Sequence, residues 1–94
     1  GIVGIYSIGA GNRGVIEVIS SRPAYRDITV VAHELNDHSR AALRDGIFDA
    51  VINQDAGHEI RSAIRILKAR IDGTPVVGGQ EHIRIEIYLR DNLP

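Results

Sequence analysis

The 94 residues include no cysteine, methionine or tryptophan, and the aromatic residues are one Phe and three Tyr. Without cysteine there are no disulfides and no thiolate metal sites, although this leaves the cellular compartment open. With so few aromatics, the apolar side chains suit buried strands covered by helices better than an aromatic binding platform. Charge of one sign is lacking as well. Eleven basic and twelve acidic residues are interspersed, giving a formal net charge of −1. A nucleic-acid-binding face shows clustered Lys and Arg, so direct contact of this stretch with DNA or RNA is not expected. There is no long apolar run and no signal-peptide pattern, so no membrane partner is expected either.

What is present reads as globular: 44% hydrophobic and 24% charged residues, the apolar ones mostly Ile, Val, Leu and Ala. At this length the chain is one small domain, or part of one, near the lower limit for a self-sufficient core. Strand and helix patterns alternate along it. Ile2 to Ile8 is a near-continuous β-branched stretch, as expected of a strand buried on both faces. Asn12 to about Ser21 places Val15, Ile16, Val18 and Ile19 on one helical face, and Pro23 ends it. Ile28 to Ala32 is a second strand. Asn36 or Asp37 caps a short helix carrying Ala41, Ala42 and Leu43, with Gly46 as its stop.

Phe48 to Asn53 reads as a third strand. Asp55 then caps the most regular helix, with Ile60, Ala63, Ile64, Leu67 and Ile71 in register and Gly73 and Pro75 closing it. His82 to Leu89 alternates polar and apolar, the mark of a half-buried final strand. The order βαβαβα plus a strand predicts an α/β fold with a parallel sheet and ligands at the carboxyl ends of the strands. Those ends carry Gly11-Asn12-Arg13, His33-Glu34 and Asn53-Gln54-Asp55, three polar clusters expected to converge on one edge.

The run Gly9-Ala10-Gly11-Asn12-Arg13-Gly14 after the first strand is formally a G-x-G-x-x-G and admits two readings. In one, the glycines admit a dinucleotide pyrophosphate, and Glu34, twenty residues beyond Gly14, holds a ribose. In the other, the turn presents Asn12 to a small ligand. The chain holds barely more than one mononucleotide-binding half, which weighs against the first. The stretch His33 to His38 lacks the two His four apart that a zinc-hydrolase helix needs, because position 37 is Asp. No G-x-S-x-G elbow surrounds any serine. No catalytic set, metal site or cofactor is therefore expected.

Ile5 to Gly14, Val30 to Leu35, Leu43-Arg44-Asp45-Gly46, Ala50 to Asp55 and Arg90-Asp91-Asn92-Leu93-Pro94 together resemble the C-terminal part of a LacI-family regulator. That region is the effector-binding domain, itself similar to type 1 periplasmic sugar-binding proteins. The resemblance covers essentially all of this chain but only about the last third of such a protein, with Gln54 and Asn92-Leu93-Pro94 its more diagnostic parts. It implies a two-lobed α/β protein, non-enzymatic, that closes on a sugar-like effector. Residues 1–53 would lie mainly in one lobe, 54–80 would be a crossover helix and loop toward the other, and 81–94 a final strand and tail.

The resemblance implies that Asn12, Glu34 and Gln54 contact sugar hydroxyls, Asn and Gln by donating and accepting, the carboxylate by accepting from vicinal hydroxyls. Two positions depart from the family pattern. Arg13 replaces an acid after Asn12, and His33-Glu34 replaces an aromatic-Asp pair. Arg13 beside the cleft would favour an acidic sugar, a sugar phosphate or another anion. The resemblance further implies a cytoplasmic homo-oligomer that meets DNA only through an N-terminal domain absent from this chain. A periplasmic sugar-transport receptor and a dinucleotide-binding fragment of an oxidoreductase are the alternative readings.

Overall fold

A computed structural model describes residues 2–94. Their elements run β1 (Gly4–Ser7), α1 (Asn12–Ser20), β2 (Thr29–His33), α2 (Asp37–Arg44), β3 (Ala50–Gln54), α3 (Ala56–Asp72) and β4 (Ile85–Tyr88), with 3-10 turns at Pro23–Asp27 and Arg90–Asn92. The α/β class and the strand–helix alternation are those the pattern predicts. The four strands form one sheet in the order β1-β2-β3-β4, with β1–β2 and β2–β3 parallel. The chain divides into two compact units. One runs through Asn53 and takes in Glu86–Pro94, and the other is Gln54–Ile85.

The first unit holds the core. Val30, Ala32 and Val51 on the inner face of the sheet are fully buried with Ile19 of α1, Ala42 and Leu43 of α2, and Ile47 and Phe48 of the following turn. Local chemistry sets the helix ends. The Asn36 side chain accepts from the Ser39 backbone N–H at 3.0 Å while Ser39 Oγ accepts from the Asn36 N–H at 2.9 Å, a reciprocal cap that starts α2. Gly46, at φ 75°, takes the left-handed conformation just after it. Asp49 Oδ2 accepts from the Val30 N–H at 2.8 Å, tying the turn before β3 to the start of β2.

Two expectations are corrected here. Ile2–Ile8 reads as a strand buried on both faces, yet β1 covers only four residues at an edge of the sheet, and Tyr6 is 58% exposed. An apolar run shows which residues favour burial, not how many neighbours the strand finds. Val18, placed on the inner face of α1, is also exposed.

In the second unit, Asp55 caps α3 by accepting from the His58 N–H at 3.0 Å, and Gly73, at φ 68°, closes it. The polar face of α3 holds the loop that follows it. Arg65 Nε and Nη2 fork onto Glu81 at 3.0 and 2.7 Å, Ser62 Oγ donates to the same carboxylate, and His58 Nε2 lies 2.9 Å from the Gln80 carbonyl. The Arg65 guanidinium holds the Glu81 carboxyl below its ordinary value of 4.5 against the opposing effect of desolvation. The apolar stripe of α3 is free: Ile60, Ile64, Leu67 and Ile71 are between 60% and 84% exposed.

Candidate functional site

The chemistry-bearing residues of the first unit gather where β1, β2 and β3 end. Asn12, the first residue of α1, is only 5% exposed. Its Oδ1 accepts from Ser7 Oγ at 2.6 Å, and its Nδ2 donates to the His33 carbonyl at 2.9 Å. The amide thus clasps the end of β1 to the end of β2 across the start of the helix. One acceptor site and one donor of the amide expected to face a ligand are thus engaged inside the fold. Burial drives this, because a buried amide left without partners costs about 1–3 kcal/mol.

Immediately beyond the clasp, Glu34 has φ 70°, the only positive φ at a non-glycine residue among the described ones. A side chain in this region is strained and persists only where neighbours over-determine it. Here they do. The Glu34 N–H donates to the Ile52 carbonyl at 2.8 Å, its own carbonyl accepts from Ser39 Oγ at 2.7 Å, and the next N–H, of Leu35, donates to Asn53 Oδ1 at 3.0 Å. The Glu34 side chain is exposed and has no cation within ion-pair distance among the described residues. Arg13 is exposed on the first turn of α1, and Gln54 is exposed as the last residue of β3.

Ser7 and Ser39, which the sequence does not mark for this edge, hold it together with Asn53 of the third polar cluster. The Asn36–Ser39 spacing signals the cap and hence a serine turned inward. No local sequence feature marks Glu34 for a left-handed bend. Beside the site, the Tyr6 hydroxyl and His33 Nε2 are hydrogen-bonded, with ring centroids 5.3 Å apart.

Two cavities lie elsewhere. In the first unit a groove of ≈ 400 Å³ is lined by Ile2, Ile5, Val18, Ile19, Tyr25 and Ile28, toward the amino ends of the strands. A second cavity of ≈ 220 Å³ lies within the second unit beside Arg65, Lys68, Asp72 and Glu81. Neither includes Asn12, Arg13, Glu34 or Gln54. No group of three or more His, Cys, Asp or Glu side chains placed to hold a metal ion occurs among the described residues.

The strand order bears on the dinucleotide reading. In a doubly wound dinucleotide fold the fourth strand lies next to the first, whereas here β4 lies next to β3 and β1 is at the edge. The third glycine of a dinucleotide fingerprint permits close helix–strand packing, but a Cβ on Gly14 would meet nothing within 4 Å.

Solved structures show where this arrangement recurs. The chain matches GanP, a glucose-galactose binding protein from Geobacillus stearothermophilus, with a TM-score of 0.84 and 14% identity, covering 98% of this chain and 33% of that one. The chain thus shares its fold with a third of that sugar-binding protein. A chain of the XylFII-LytSN complex matches with a TM-score of 0.80 and 15% identity, covering 98% of this chain and 32% of the other. The chain therefore spans about a third of the length of the solved proteins it resembles. No protein-family model and no curated protein matches it in sequence.

Proposed function

We propose that this chain is the C-terminal part of the ligand-binding domain of a two-lobed, non-enzymatic protein that binds a sugar-like small molecule. The observation that carries the reading is the superposition on a third of a glucose-galactose binding protein over 98% of this chain. Glu34 supports it from within the molecule. An exposed carboxylate with no ion-pair partner among the described residues, held on a rigid bend at the strand ends, is suited to accept hydrogen bonds from vicinal hydroxyls. Gln54, exposed at the end of β3, is a second candidate contact, and Arg13 adds a cation for an acidic sugar or sugar phosphate.

The regulator reading makes the whole protein a cytoplasmic, oligomeric LacI-type transcriptional regulator. Its effector would act by binding open and closed arrangements with different affinity. It rests on the sequence segments around Asn12, Gln54 and Asn92-Leu93-Pro94. The structural likeness to a glucose-galactose binding protein favours a periplasmic receptor equally, and operator binding that responds to sugar separates the two.

Thermal unfolding of the full-length protein with D-glucose, D-galactose, sugar acids, sugar phosphates and NAD(H) tests the binding class. A ligand at about a hundred times its Kd adds roughly 2.7 kcal/mol of stability, a readable rise in Tm. A rise with a sugar-type compound alone is expected. A rise with NAD(H) alone would replace this reading with the dinucleotide one.

A further inference from the structure

We infer that residues 74–81 form a releasable strap, latched across the polar face of α3 by the Arg65–Glu81 fork, and that breaking this one contact uncovers that face. The inference concerns the second unit alone and holds whatever the protein binds. Three α3 side chains at helical spacing grip the strap: His58, Ser62 and Arg65, at i, i+4 and i+7. His58 Nε2 donates to the Gln80 carbonyl at 2.9 Å, a bond that requires the proton on this nitrogen because a carbonyl only accepts. Ser62 Oγ donates to the Glu81 carboxylate at 3.3 Å, and Arg65 Nε and Nη2 donate to it at 3.0 and 2.7 Å.

Little else seats the strap. The Thr74 N–H reaches the Ala69 carbonyl at its start, and its other backbone bonds are local turns, Gln80 N–H to the Val77 carbonyl and Glu81 N–H to the Gly78 carbonyl. Val76 and Val77 are 45% and 64% exposed. The cavity of ≈ 220 Å³ separates the strap from the helix, with Lys68, Ala69 and Asp72 on one side and Thr74 to Val77 on the other. Close packing is therefore not what holds it. The contact at its centre is nonetheless shut away from water: the Glu81 side chain is 8% exposed and Ser62 4%. A carboxylate at that depth depends on its guanidinium. Without Arg65 its charge is uncompensated, and the strap opens to hydrate it. Removing the charge as well takes that drive away, so the two sites are coupled with a definite sign. Because the strap leads on to β4, its release also adds free chain between α3 and the first unit.

The test uses two peptide-resolved readouts on the full-length protein. Amide hydrogen exchange at residues 78–82 is compared in wild type, Glu81→Gln, Arg65→Ala and the double variant. Exchange fastest in Arg65→Ala and slower again in the double variant, with amides 66–70 of α3 still protected, is expected. Equal exchange in wild type and Arg65→Ala would overturn the latch, as would acceleration that spreads to amides 66–70. A double variant that exchanges faster than Arg65→Ala would overturn the coupling. Ser62→Cys gives the second readout, because its thiol replaces a hydroxyl that the strap covers. Maleimide labelling at position 62 is expected to be slow in that variant and several-fold faster once Arg65→Ala is added. Equal labelling rates would mean that something other than the latched strap covers this face, and the proposal would fail. Should Arg65→Ala not fold, Arg65→Lys, which keeps the charge but loses the fork, carries both comparisons.

Discussion

Replacing Asn12 by Asp changes one donor into an acceptor at the most constrained polar position of the first unit. The aspartate Oδ1 keeps the 2.6 Å bond from Ser7 Oγ, but its second oxygen faces the His33 carbonyl where Nδ2 donates at 2.9 Å. The carbonyl loses its partner, about 1–3 kcal/mol, and a carboxylate charge is buried beside it. Together these put the cost near 3 kcal/mol at pH 7, which lowers the Tm of a domain this size by about 15 °C. Protonation restores the bond, because the neutral acid donates to His33 while still accepting from Ser7. The neutral form is favoured in the folded state, so the carboxyl's folded pKa is raised above its unfolded value of about 3.9. The stabilising contribution of the neutral acid is therefore present below the unfolded pKa and is lost as pH rises through the folded one. Thermal unfolding between pH 4 and pH 7 should show a deficit, relative to wild type, that grows with pH. Asn12→Ala, by contrast, should show a smaller, pH-independent loss of about 1–2 kcal/mol. An Asn12→Asp protein as stable as wild type at pH 7, or a deficit equal at both pH values, would refute the clasp.

Phe48→Ala, at a residue 2% exposed in the core, should cost about 3–5 kcal/mol in chemical denaturation. Glu81, held below 4.5 chiefly by the Arg65 fork, contributes stability present above its unfolded pKa and lost as pH falls through the folded value. Glu81→Gln should therefore remove part of the acid sensitivity of the Gln54–Ile85 unit, followed by exchange at amides 78–84. The exposed stripe on α3 predicts self-association of the 94-residue chain at micromolar concentration, read by sedimentation. Ile64→Lys with Leu67→Lys should abolish it with little effect on helix content, because both side chains are about 60% exposed.

Much of this architecture was legible because it depends on local signals. Asn36 and Asp55 cap their helices, and Gly46 and Gly73 take the left-handed conformation after them, as these residue types dictate. The alternation of strand and helix gave the parallel sheet. What was not legible depends on partners distant in sequence. β1 looks central by composition but lies at an edge, and α3 has a regular apolar stripe that remains exposed. Periodicity reports which face a segment favours for burial, not whether a surface is there to cover it. The candidate edge divides in the same way. Its polar residues stand out as a group at the strand ends, and Glu34 and Arg13 are exposed there. Whether a side chain faces ligand or backbone is decided by contacts between elements. The Asn12 clasp joins residues 5 and 21 positions apart, and the Glu34 bend needs Ile52 and Ser39 to hold it.

The most direct measurement is a calorimetric titration of the full-length protein and its Glu34→Gln variant with the sugars and sugar derivatives of the panel. Saturable binding by wild type, weakened about tenfold or more in the variant with the fold intact, is the predicted result, since a hydrogen bond to a charged group contributes roughly 1.5–3 kcal/mol. Equal affinity in the two proteins would show that the carboxylate at the end of β2 does not face the ligand, and would contradict the site described here.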